Sequence, residues 1–251
     1  MLVAVVAVAA TLLTTGCSGD DPDVSGGEPT GPAAATGAPG AQEPAVDDDR
    51  LHFYPPVAGA QLTITNDVDG SESTVTVVSV QDGSAGQTIQ IHQVFAGTDG
   101  LEVEAGYTAG TDGSLTLEIE MFLLAMTSVA DAEGAVEASG DDMVIPSIED
   151  LESGATSSGT AEIAMTTNGF EISNETSFTV SGAGYESVTT ALGTFEAYVV
   201  DVDLSIVSSL GPTAEGTIRY WFVPGFGWVR QETTVNGMTI VNEVSSSTVV
   251  P

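Results

Sequence analysis

The chain predicts an all-β fold, mainly antiparallel, built as a large curved meander sheet or half-barrel with at most one or two short helices. Three features carry that prediction. Glycine is abundant at 29 residues and aromatics are held to 6%, alongside much Ser, Thr and Val, a composition suited to strands and tight turns. Six Asp-Gly or Asn-Gly pairs (Asp69-Gly70, Asp82-Gly83, Asp99-Gly100, Asp112-Gly113, Asn168-Gly169 and Asn236-Gly237) supply the positive-φ residues that hairpin turns need. Between them hydrophobicity alternates with period two, the signature of half-buried strands.

The amino terminus stands apart. Residues 1–15, MLVAVVAVAATLLTT, form an apolar, uncharged run too short to span a bilayer comfortably, and Gly16-Cys17 follows; this reads as an export signal. The stretch LLTTGCSG resembles the lipobox of bacterial lipoproteins. That resemblance implies that Cys17 is thioether-linked to diacylglycerol and becomes the first mature residue, giving the bilayer as a partner through its acyl chains. Cys17 is the only cysteine, so no internal disulfide competes for it. Two departures from the pattern stand out: Leu13 lies one position further from the cysteine than usual, with Thr14 in its place, and no Lys or Arg precedes the apolar run. The second predicts a true start upstream, because export signals open with positive charge.

Residues 18–50, SGDDPDVSGGEPTGPAAATGAPGAQEPAVDDDR, contain almost nothing large and apolar, so they read as a disordered acidic linker. As a flexible coil of 33 residues it would reach about 30 Å.

Residues 51–251 form the predicted extracytoplasmic β domain. The first four turn pairs are spaced 13, 17 and 13 residues apart, which fits an antiparallel meander. Leu115, Leu117, Ile119 and Met121 would share one face and Thr116, Glu118 and Glu120 the other; Ile89, Ile91 and Phe95 oppose Gln90 and His92 in the same way. In the second part, strands are predicted over 160–166, 177–182, 193–207, 215–224, 227–235 and 238–246. One helix is expected within 121–142, where Ala, Leu, Met and Glu accumulate; the alternative is that a strand runs on to Met126 and an acidic loop follows. A loose repeat, Tyr54-Pro55-Pro56 then Gly59-Ala60 against Ile145-Pro146 then Gly154-Ala155, raises two similar halves, 51–140 and 141–251.

The most distinctive words are GTFEAYVVDVDLSI (193–206) and RYWFVPGFGWVRQET (219–233). They resemble a signature of exported bacterial lipoproteins and periplasmic proteins of unknown function, and MVIPSIEDLESG (143–154) is similar to an earlier segment of the same pattern. A broader likeness is to the half-barrels of lipoprotein-localisation factors and mycobacterial lipid-binding lipoproteins, which implies a concave apolar face that holds acyl chains. Within the signature, Pro224-Gly225 suits a type II turn and Gly227 a second close approach. Arg219, Trp221, Trp228 and Arg230 are the candidate ligand-binding residues. Against that, the arginines also suit charge-neutralising pairs and the tryptophans also suit core packing.

Charge excludes much. Three basic residues against 36 acids give −33, which rules out binding nucleic acid by neutralising phosphates; so acidic a surface is compatible with weak, unselective cation binding. No nucleophile elbow, phosphate loop, His-Glu-x-x-His or paired-cysteine motif appears. The pairs Glu102/Glu104, Glu118/Glu120 and Asp201/Asp203 would each point one way from a strand, the pattern of a solvated face. Asp67-x-Asp69-Gly70 reads as a turn, because Thr65 and Thr76 stand where a calcium loop needs its first and last carboxylates. The sequence therefore predicts no catalytic residues, no metal and no cofactor. It points to a lipid-anchored, extracytoplasmic protein binding a lipid or other apolar ligand on a concave sheet, or else to a ligand-free structural or interaction protein of the cell envelope.

Overall fold

The structure, a computed structural model, describes residues 50–95, 102–119, 121, 136–167, 170–209 and 213–249. The expected export signal, Cys17, all of the expected linker but Arg50, and the pairs Asp99-Gly100 and Asn168-Gly169 lie outside these residues.

In chain order the strands are β1 (Gln61–Asn66), β2 (Glu72–Gly83), β3 (Gly86–Phe95), β4 (Glu102–Gly110), β5 (Leu115–Leu117), β6 (Val136–Gly140) and β7 (Met143–Ile145). A short helix, α1 (Ile148–Glu152), precedes β8 (Ser157–Thr167), β9 (Phe170–Thr190), β10 (Gly193–Ser208), β11 (Ala214–Val223), β12 (Gly227–Val235) and β13 (Met238–Ser247). They make one open antiparallel sheet in the order β6-β8-β9-β10-β11-β12-β13-β1-β2-β3-β4-β5-β7. The all-β meander expected from the turn spacing is therefore the observed fold.

The sheet must be strongly curved. Its two outermost strands, β6 and β7, are separated in sequence only by Asp141 and Asp142, and so short a link spans on the order of 10 Å. The opposite edges of the sheet thus come together, and the Ser157 hydroxyl, at the start of β8, donates to the Val144 carbonyl on β7. The two halves of the chain are interlocked at both places where they meet: at the sheet edges β6 pairs with β8 and β7 with β5, and in the middle of the sheet β1 pairs with β13.

Alternation sets which side chains enter the concave face. On β10, Val200, Val202, Leu204 and Ile206 are buried, while Asp201, Asp203 and Ser205 between them point outward. Ile89 and Ile91 on β3, and Leu115 and Leu117 on β5, are buried likewise; Ile119 and Met121 are also buried, but in a helical turn and not in the expected strand continuation, because β5 ends at Leu117. At about 25 cal/mol per Å² of apolar surface, such rows are the main source of stability.

Two local expectations are corrected. Asp82-Gly83 is not the turn; Gly83 pairs with Gly86, and Ser84-Ala85 make the loop. Glycine is needed at Gly86 because φ there is +143° and an added Cβ would lie 2.1 Å from the Ala109 carbonyl oxygen on β4. The helix expected across 121–142 is not present over 136–140, which form β6; Ile119 and Met121 are helical, and 122–135 lie outside the described residues. The defined helix is α1, started by Ser147, whose hydroxyl oxygen accepts from the Asp150 N–H at 3.2 Å. Asn236-Gly237 behaves as predicted, with φ of 51° and 81° between paired Val235 and Met238, a type I′ turn.

Candidate functional site

The concave face is lined by aromatic rings and holds a segment that belongs to no strand. Immediately before β1, residues 51–54 lie inside the curled sheet, with Leu51, His52, Phe53 and Tyr54 only 1%, 0%, 3% and 3% exposed. Phe53 makes edge contacts with Tyr107 of β4 (6.4 Å between ring centroids), Tyr220 of β11 (5.6 Å) and Trp228 of β12 (6.2 Å), and a tilted one with Phe222 (6.2 Å). Strands β12 and β4 are separated in the sheet by β13, β1, β2 and β3. One ring therefore bridges two distant parts of the wall, which only a curled sheet permits. We call residues 50–54 the strap.

The strap's backbone is held at its carbonyls. The Gly225 N–H donates to the Arg50 carbonyl (3.1 Å) and the Trp228 N–H to the Phe53 carbonyl (3.4 Å). The Tyr107 hydroxyl donates to the Tyr54 carbonyl (2.5 Å) and accepts from the Tyr54 N–H (3.2 Å). Two of the four contacts come from the β11–β12 hairpin, the centre of the signature read from the sequence. Its turn is as expected: the Phe226 N–H reaches the Val223 carbonyl at 3.0 Å and Gly225 has φ +74°, a type II geometry. Gly227 shows why the signature needs its second glycine. A Cβ there would stand 2.9 Å from the Phe53 carbonyl oxygen and 3.0 Å from Tyr54 Cα, and φ is +137°, so any other residue would push the strap away and strain the backbone.

Polar atoms in this region are few and deeply buried. Burial pushes the Tyr54, Tyr107 and Tyr220 phenols well above their ordinary value, because the phenolate cannot be solvated there. Tyr107 is satisfied by the strap, whereas the Tyr220 hydroxyl has no hydrogen-bond partner among the described residues. An orphaned buried hydroxyl costs about 1–3 kcal/mol.

The four sequence-predicted residues are split between the two faces. Trp228 is in the concave face, against Phe53, Tyr54 and Tyr220. Arg219, Trp221 and Arg230 are together on the outer face. The Trp221 ring, 7% exposed, has the Arg219 guanidinium 5.9 Å and the Arg230 guanidinium 5.5 Å from its centre, and its N–H donates to Glu186 at 3.2 Å. Arg219 makes a two-bond pair with Asp201 (2.7 and 2.8 Å), and Arg230 bridges Glu232 (2.6 Å) and Glu243 (2.9 Å). The carboxylate of Asp201 raises the Arg219 pKa further above its ordinary value. Beside them runs a shallow groove of about 200 Å³ lined by Asp201, Asp203, Thr217, Arg219, Glu232 and Thr234. Both arginines are paired with the protein's own acids, so a carboxylate or phosphate ligand would compete with Asp201, Glu232 and Glu243 for them.

The remaining carboxylates behave as surface groups. Glu102 pairs with His92 at 3.3 Å, Asp67 accepts from the Val241 N–H and Asp69 from the Ser71 N–H, both at 2.8 Å. The bonds to Ser71 hold the Asp69 carboxyl below its ordinary value. No group of three or more metal-ligating side chains occurs among the described residues.

What sequence reasoning missed is the strap. A signal existed: residues 51–54, Leu-His-Phe-Tyr, are four large side chains in a row with no alternation, closed by Pro55-Pro56. A half-exposed strand would have to leave two of them in water; burial of all four requires a segment surrounded on every side.

Comparison with known proteins places the fold. The DUF3108-like family model matches residues 58–245, a span that begins just after the strap. A protein of Parabacteroides distasonis, assigned by inference as a lipoprotein, has a similar structure at a TM-score of 0.65 and 17% identity, covering 79% of this chain and 99% of that one. A Bacteroides fragilis protein assigned by inference as exported, with a YmcC-like fold, is similar at a TM-score of 0.60 and 20% identity, covering 78% and 99%. No curated protein sequence matches the chain.

Proposed function

The chain belongs to the DUF3108-like family, and from that premise we propose that it is a non-catalytic, extracytoplasmic lipoprotein, anchored through acylated Cys17, whose curled sheet receives a slender apolar ligand. The observation that carries this reading is the seating of Phe53 and Tyr54 among Tyr107, Tyr220, Phe222 and Trp228. An interior that accommodates four residues of non-sheet chain is a receptor for something linear, about 13 Å long at 3.3 Å per extended residue. Localisation is supported by the LLTTGC stretch and by the export and lipoprotein assignments of the two structural neighbours.

Native mass spectrometry tests this. Residues 18–251, exported behind a cleavable signal, keep every described residue and omit only the acylated cysteine. A stoichiometric apolar adduct, absent after denaturation, is the expected result. A bare mass together with no uptake of a neutral dye such as Nile red would end the ligand reading. It would leave the second one, a ligand-free interaction protein, which the filling of the interior by residues 51–54 favours.

A further inference from the structure

We infer that residues 50–54 are an autoinhibitory strap, occupying the site of an acyl ester or amide and leaving when that ligand enters. The inference rests on the apolar-ligand reading above and adds its gate and the chemistry of the ligand. Three observations support it.

The strap is attached differently from the rest of the interior. It contributes to no ladder, and its ties include the two amides of the β11–β12 hairpin and the Tyr107 hydroxyl. It can withdraw without breaking a strand pair. Pro55-Pro56 and the positive φ of Gly59 (+84°) separate it from β1, and the family match begins at residue 58, so the family's common sheet starts where the strap ends.

The ties read carbonyls. Gly225 N–H, Trp228 N–H and Tyr107 O–H each donate to a strap carbonyl, those of Arg50, Phe53 and Tyr54. A replacement must offer an acceptor to the buried donors, Trp228 N–H and Tyr107 O–H, which meet adjacent carbonyls, and an apolar body to the aromatic wall, as an acyl chain with an ester or amide group does; the partly exposed Gly225 N–H can turn to water. A ligand with a free carboxylate is disfavoured by a chain of net charge −33.

The strap is also an imperfect occupant. It satisfies Tyr107 but leaves the buried Tyr220 hydroxyl without a partner among the described residues, although the Phe53 ring lies 5.6 Å from the Tyr220 ring. A ligand that brought an acceptor to the Tyr220 hydroxyl would remove this cost.

The test measures binding of 1-monopalmitoylglycerol, a neutral acyl ester, to residues 18–251 in the native sequence and as Phe53→Ala. Trp228 fluorescence is read in a Trp221→Phe background, which leaves one tryptophan. Phe53 belongs to the strap, so its removal leaves the wall complete. If the strap is in place more than about 90% of the time, its loss tightens apparent binding at least about tenfold. A peptide of residues 48–58 added in trans should compete with the ester for the Phe53→Ala protein. Equal affinity of both proteins, with no competition, overturns the strap while leaving the ligand site standing. Binding by neither, with both folded by circular dichroism, removes the ligand reading and the strap with it. Should Phe53→Ala unfold, hydrogen exchange on the native sequence decides: the Tyr54 amide must exchange faster when the ester binds, and an unchanged or slower rate overturns the strap.

Discussion

Gly227 and Arg219 represent two ways in which a residue matters, and they differ in magnitude. Gly227 has backbone of the strap at 2.9–3.0 Å from where a Cβ would be, at φ +137°. Neither the carbonyl of Phe53 nor the Cα of Tyr54 is a flexible tip that can turn aside, so Gly227→Ala is expected to destabilise by about 1–3 kcal/mol in urea unfolding. Arg219 and Asp201 make a well-formed pair, but their side chains are 40% and 26% exposed. Solvent screening keeps such pairs to about 1 kcal/mol or less, and Asp201→Asn should shift the urea midpoint only slightly, with the difference vanishing in molar salt. A loss as large as that of Gly227→Ala would mean that the Trp221 cluster is held by Asp201. At this scale the sequence was partly legible. The two-glycine turn, the exposed carboxylate rows and the pairing of the arginines followed from residue type and alternation. That Trp221 and Trp228 face opposite sides did not, because a register shift between Trp221 and Phe222 inserts Val229 into β12 and breaks the period.

Among the elements, those with long alternating runs were read correctly and those defined by short or interrupted patterns were not. Strands β10 to β13 match the expected segments to within a residue or two. β9 runs Phe170–Thr190, far beyond the predicted SFTVSG, because Gly182 and Gly184 look like a turn in sequence; Gly182 instead makes room, its absent Cβ lying 2.5 Å from the Tyr198 hydroxyl. The helix was expected where Ala and Leu accumulate and is found where a cap exists. Ser147 both accepts from the Asp150 N–H and donates to the Asp150 carboxylate at 2.7 Å, and for a helix of five residues such a cap outweighs propensity. Ser147→Ala is therefore expected to cost about 1 kcal/mol, with faster amide exchange at Leu151; unchanged exchange would show that burial of Leu151 alone holds the helix.

For the whole molecule, charge and burial set the response to solvent. With 36 acids against three bases, self-repulsion opposes compaction, so raising NaCl from about 10 to 150 mM, which shortens the screening length from roughly 30 to 8 Å, should raise the melting temperature. A flat melting temperature would mean that the acids are spaced widely enough not to interact. In alkali the interior tyrosines dominate. Burial raises the folded-state pKa of Tyr54, Tyr107 and Tyr220 above the unfolded value near 10. Their contribution is thus complete below about pH 10 and is lost as pH rises towards the folded values. Absorbance at 295 nm should show these phenols ionising only together with loss of near-ultraviolet dichroism; full titration near pH 10 in a folded protein would contradict their burial.

By itself the sequence determined the all-β class, the antiparallel order of most neighbouring strands and the acidity of the outer surface, because these follow from short-range rules of turn chemistry and period-two burial. Tertiary structure decided that the sheet curls until β6 and β7 meet, that the β11–β12 hairpin grips Arg50 and Phe53, and that residues 51–54 fill the interior. Those outcomes depend on contacts between residues more than fifty, and up to about 175, positions apart, such as Tyr54 with Tyr107 and Phe53 with Trp228. Alternation tells which side of a strand is apolar; it carries no information about what will come to cover it.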